Sequence, residues 1–130
     1  MATKNNNNDV FSATIFESSR EFSAREKLKI TDTMTAIRLD TLDGKIQIPV
    51  ESFAKIHVHN PFASEDTDYD QFVILAETGD VFLTGSSSFI SSFLRIYDAL
   101  KGTDEKMIIS VKKVPSKNRQ GKYFLACALV

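Results

Sequence analysis

The sequence predicts a mainly β domain with one principal helix, and three observations carry that reading. Two turn signals, Asp43-Gly44 and Thr78-Gly79-Asp80, each separate short apolar runs, as a hairpin turn needs residues that accept positive φ. Residues 89–100 repeat their apolar side chains at helical period. The last two dozen residues hold two more apolar runs around a connector rich in cations.

The elements follow in order. Lys4 and the asparagines at 5–8 offer nothing to bury, so 1–9 is expected to be a disordered tail and 10–130 one domain. Residues 10–16 read as a strand, with Phe11, Ala13 and Ile15 alternating against Ser12, Thr14 and Phe16. Ser23 and Glu26 have the spacing of a capping box, in which each side chain satisfies the other's backbone N–H. A helical turn over 24–29 follows from that, although Lys27, Lys29 and Ile30 suit a strand equally well. Residues 36–42 and 45–50 flank Asp43-Gly44 and are expected to form a β-hairpin. Pro49 lacks a backbone donor, so the second strand should end there or lie on an edge. A third strand is expected over 53–59. A loop over 60–70 then contains Pro61 and the acids Glu65, Asp66, Asp68 and Asp70, and a second hairpin joins 71–76 to 81–84.

Phe89, Phe93, Ile96, Tyr97 and Leu100, with Ile90 and Leu94 beside them, form a wide apolar stripe that predicts a helix packed on the sheet. The serines at 86–88 supply N-caps, and Gly102 stands where a C-cap belongs. Two strands, 106–114 and 122–130, follow, joined by the basic connector 115–121. Both alternate faces of the last run are apolar, which predicts a central strand. Several antiparallel strands, a helix and two more strands match a partly open barrel with a helix at one end, the OB-fold pattern; a plain α+β antiparallel sheet is the alternative.

At 130 residues, 42% hydrophobic and 25% charged, the chain suffices for one core. No apolar run approaches the roughly 18 residues of a membrane span and residues 1–9 are polar, so a cytoplasmic location is expected. The one cysteine, Cys127, falls in an apolar run and reads as a buried thiol.

Chemistry is sparse. His57 and His59 would share one face of a strand, but the chain has no third histidine, so they read as polar residues on a solvated face and no metal is expected. The acids of 65–70 lack the glycine and terminal glutamate of a calcium loop. Neither a phosphate-cradling glycine loop nor a nucleophile elbow is present, so no enzyme and no cofactor are expected.

The charge pattern is more telling. Lys112, Lys113, Lys117, Arg119 and Lys122 fall in 107–130 without a single acid, while 1–106 keeps eleven cations against seventeen acids. A polyanion should be met by one face and repelled by the rest. Lysines in a hairpin also keep edges soluble. Their density beside Tyr123 and Phe124 nevertheless fits a basic finger that tracks phosphates while rings stack on bases, which suits a single strand better than a duplex. Tyr69 and Phe53 are further stacking candidates. Arg25, Lys27 and Lys29, with Arg20, would extend the path, diluted by Glu21 and Glu26; Lys55 is a weaker candidate.

Three stretches carry a resemblance: 23–29 (Ser-Ala-Arg-Glu-Lys-Leu-Lys) with 31–33 (Thr-Asp-Thr), 84–89 (Thr-Gly-Ser-Ser-Ser-Phe) leading into the helix, and 114–122 (Val-Pro-Ser-Lys-Asn-Arg-Gln-Gly-Lys) followed by Phe124-Leu-Ala-Cys. Together they resemble small single-stranded DNA-binding proteins of tailed bacteriophages infecting Gram-positive bacteria. The resemblance implies an OB-like fold, non-catalytic coating of strands exposed in phage DNA replication or recombination, and residence in the bacterial host cytoplasm. It also implies phage or host replication and recombination proteins as partners, with homo-oligomerisation left open. Some relatives carry tryptophan in the helix; this chain has none, so stacking falls to Tyr and Phe. The alternative reading is a phage protein-interaction module gripping a host or replisome protein through a sheet edge or the acidic 65–70 loop.

Overall fold

The computed structural model describes residues 10–63, 67–117 and 120–130, so the expected tail at 1–9 lies outside the described residues. Strand makes up 45% and helix 22%, arranged as a strongly curled half-barrel with two helices, which is the β-rich, OB-like architecture expected. The elements are β1 (Ser12–Ser18), α1 (Ala24–Thr31), β2 (Ile37–Arg38), a 3-10 turn (Leu39–Thr41), β3 (Lys45–His59), β4 (Asp68–Ala76), β5 (Val81–Thr84), α2 (Ser87–Leu100), β6 (Ile108–Pro115) and β7 (Tyr123–Leu129). The sheet order is β2-β5-β4-β3-β6-β7, with β1 also paired to β3.

β3 organises the fold. Alternation along it and β4 sends Phe53, Phe72 and Ile74 to one face and Ala54, Ile56, Val58, Val73 and Leu75 to the other, so each face has its own apolar cluster. On the first face, Phe89, Phe93 and Ile96 of α2 are buried. There Phe93 meets the rings of Phe53 and Phe72 edge-on at centroid distances of 5.6 and 4.9 Å. Phe22 and Ile30, the latter from α1, close the second face. Both helix starts match their sequence signals: the Ser23–Glu26 box has both of its hydrogen bonds, and Ser86 accepts from the Phe89 N–H. The second expected hairpin also forms, β4 and β5 pairing antiparallel around Gly79, whose φ of +93° suits a residue without Cβ.

The first expected hairpin does not form. Gly44 adopts φ of +77° as the turn signal requires, yet 36–42 never pairs with the strand after it. Ile37–Arg38 instead lies parallel to Phe82–Leu83, and Leu39 is buried in the core. Lys45–Pro49 pairs with β6. Burial of Leu39 and long-range partners outweigh the local turn.

Nor does Pro49 end a strand; β3 runs unbroken through it, merging the two strands expected at 45–50 and 53–59. The Val50 N–H donates to Met107 O (2.9 Å), on the β6 side, while Pro49 O accepts from the Glu77 N–H (2.8 Å), on the β4 side. The missing proline donor therefore faces Glu77, just beyond the end of β4 at Ala76, so what it forgoes is a terminal bond and the ladder within β4 is untouched. A register shift between Val50 and Ser52 bends the strand at this point.

β7 lies outermost in the sheet, not centrally. The Ser116 N–H bonds Lys122 O (2.9 Å) and the Val130 N–H bonds Ile108 O (2.8 Å), so even-numbered residues face β6 and the backbone groups of Leu125 and Cys127 point away from it. Those two residues are nonetheless buried, because α2 packs against β7. A helix-shielded edge accounts for the apolar run that resembled a central strand. Burial also pushes the Cys127 thiol up to about 11, which makes it a packing residue. Among the described residues, no helix is long and apolar enough to cross a membrane.

Candidate nucleic-acid interface

β3 begins at Lys45, opposite Lys112, so β6 and β7 continue beyond it as a two-stranded ribbon with no third strand beside them among the described residues. Alternation divides the cations and rings between its faces. Lys113 and Tyr123 share the phase of Val111 and Leu125, which point into the core, whereas Lys112 and Phe124 point outward. Lys117 and Lys122 stand near the tip, where the Ser116–Lys122 bond closes the ribbon; Arg119 lies outside the described residues.

Lys112, Lys113, Lys117 and Lys122 are all exposed, and none has an ion-pair partner among the described residues. Tyr123 is 63% exposed and Phe124 44%. A groove of about 400 Å³ runs along the inner side of the ribbon, lined by Lys113, Tyr123 and Leu125 on one wall, with the outward-facing Phe124 at its margin, and by Asp40, Ser86 and Ser87 on the other. Asp40 is held there by the Thr84 hydroxyl at 2.8 Å. This groove is the seam of the incomplete barrel, between β7 and the start of α2.

Lys45 is the cation that sequence reasoning missed. It is exposed and sits directly across from Lys112 in the β3–β6 register. Like charges directly opposed on a sheet repel each other, so a bound phosphate would relieve the pair. The signal was out of reach because strand pairing, not proximity in the chain, brings them together.

Other expected members are placed elsewhere. Arg25, Lys27 and Lys29 lie on or beside α1, over the sheet face opposite α2, and the structure does not join them to the ribbon. Lys29 Nζ donates to Gly79 O at 3.3 Å. Arg20 is fully engaged: its guanidinium donates to Glu51 (3.0 and 2.6 Å) and Glu26 (3.2 and 2.8 Å) and sits 4.7 Å from the Phe22 ring centroid. Those bonds hold the Glu26 carboxyl down to about 2 and raise the Arg20 pKa further above its usual range. Lys55 pairs with Glu17 at 3.4 Å. Phe53, a stacking candidate, is buried against Phe72, Phe93 and Tyr97 and offers no face to a base. Tyr69 is half-buried against the second cluster.

His57 and His59 face the acids across β3 and β4. His57 Nδ1 lies 2.8 Å from Asp70 and its Nε2 3.2 Å from Asp68, while His59 Nδ1 lies 3.1 Å from Asp68. Asp70, then Asp68, raises the His57 pKa above its ordinary value, and the histidines lower that of Asp68. The loop expected over 60–70 therefore ends earlier, at Asp68, and Glu65 and Asp66 lie outside the described residues. No group of three or more His, Cys, Asp or Glu among the described residues is arranged to hold a metal ion. Comparison of the chain with known protein families, curated proteins and solved structures finds no match.

Proposed function

We propose that this chain binds single-stranded DNA without sequence preference, through the β6–β7 ribbon, and so protects strands exposed in phage DNA replication or recombination. The observation that carries the reading is a projecting ribbon whose exposed Lys112, Lys113, Lys117 and Lys122 lack ion-pair partners among the described residues and flank Tyr123, itself 63% exposed. The ammonium groups neutralise phosphates. Tyr123 and Phe124 stack on bases, each stacked base contributing about 1–3 kcal/mol whatever its identity. A duplex, with its bases already stacked, gains only the charge term. The acidic balance of residues 1–106 keeps the polyanion on the ribbon. No step here requires catalysis or a cofactor.

Fluorescence anisotropy with labelled oligo-dT, a matched duplex and RNA over a salt series tests this. The expected result is preference for the single strand with a log-affinity slope of about −3 to −4 against log salt, from roughly −0.7 per neutralised phosphate. Joint replacement of Lys112, Lys113, Lys117 and Lys122 by Glu should abolish binding while leaving the circular dichroism spectrum unchanged. An affinity that ignores salt, or survives this charge reversal, defeats the proposal.

A further inference from the structure

Tyr123 and Phe124 are consecutive in β7, so alternation turns their exposed rings to opposite faces of the ribbon. A sheet layer is about 10 Å thick, so bases stacked on the two rings are not neighbours in one strand. Each ring is the centre of its own platform.

The inner platform is the groove where Tyr123 and Lys113 face Ser86, Ser87 and Asp40. One cation and one acid leave that groove close to neutral, so binding there rests on the ring. The outer platform is charged differently. Register places Lys45, Lys112 and Ala126 in one row across β3, β6 and β7, with Val114 and Phe124 in the next. None of the five is buried or belongs to either core cluster. The row on the other side, Gln47, Ser110 and Ala128, is uncharged, so these three rows hold two cations and no acid. Lys45 and Lys112 are exposed and have no ion-pair partner among the described residues. Two unpaired cations beside a ring complement a stretch of single strand, which offers phosphates and unstacked bases together.

We infer that the ribbon holds two segments of single strand at once, one on each face: the first stacked on Tyr123 beside Lys113, the second stacked on Phe124 with its phosphates on Lys112 and Lys45. The inference rests on the ribbon binding single-stranded DNA and adds a further activity, the bridging of two strands, or of two distant parts of one strand, by a single chain. A long strand reaches both platforms by passing round the ribbon; two short ones fill them separately.

Ring-resolved NMR with a thymidine dinucleotide, too short to reach both faces, tests this. The Tyr123 and Phe124 ring signals should both shift, at two dinucleotides per chain. Tyr123→Ala should leave the Phe124, Lys112 and Lys45 shifts in place, and Phe124→Ala those of Tyr123 and Lys113, each replacement weakening binding on its own face about tenfold. Both rings are exposed, so the replacements leave the core intact. Donor- and acceptor-labelled oligo-dT should show energy transfer on the wild-type chain that Phe124→Ala abolishes while one oligonucleotide stays bound. Shifts at Tyr123 alone, with one dinucleotide per chain, would overturn the second segment and leave the ribbon a DNA binder, whereas no shift at either ring would remove the proposed function as well. Energy transfer that survives Phe124→Ala would overturn bridging by one chain and assign it to association between chains.

Discussion

Single residues here take their meaning from partners that sequence spacing does not show. His57 and His59 are two apart and share a face, as a strand dictates, but the acids they meet come from β4. Because Asp70 and Asp68 raise the His57 pKa, protonation is favoured in the folded chain. The stability this supplies is fully present below the ordinary value of 6.5 and is lost as pH rises through the higher folded value. Asp70→Asn removes the larger cause. An NMR titration should then show the His57 midpoint falling back toward 6.5, and the loss of stability on the alkaline side of 6.5 should shrink. A midpoint unchanged by the substitution would show that Asp70 does not set it. Arg20 teaches the same lesson in reverse: counted as a cation for a polyanion, it is spent inside the protein on two glutamates.

Elements with local rules were legible, and those that depend on distant partners were not. The stripe from Phe89 to Leu100 lies within a few turns, so spacing suffices to place α2, whereas the Ser23–Glu26 box marked the start of α1 but left a strand equally open until the structure showed the helix. The stretch from Ile37 to Pro49 contains a sound turn signal, but its partners are β5 and β6, far along the chain. Two expectations belong at this scale. Ser23→Ala, which deletes one half of the box, should cost about 1 kcal/mol in urea denaturation. Phe93→Ala, which opens the aromatic cluster beneath α2, should cost about 3–5 kcal/mol. A smaller loss for Phe93 than for Ser23 would mean that α2 is not anchored by its ring contacts.

At the scale of the whole molecule, the fold separates two cationic regions, one a ribbon with exposed rings and the other a helix above an apolar groove. Pairing of Lys45 with Lys112 widens the first beyond the contiguous run of residues 112–122. Lys45→Gln should therefore reduce the salt slope of oligo-dT binding by about 0.7, the share of one phosphate on a single strand. A slope equal to wild type would place Lys45 off the path. Affinity for duplex should change in parallel, since the lysine supplies charge and no stacking.

The β-rich class, the principal helix and the basic finger were all written in contiguous stretches of chain, because helical period, glycine turns and charge density act over a few residues. Which strand meets which, why β3 passes through Pro49, which rings are buried and which cations are already paired emerged once the sheet had curled. Those outcomes depend on contacts between residues distant in the chain, where burial of side chains such as Leu39 and Phe53 outweighs any local preference.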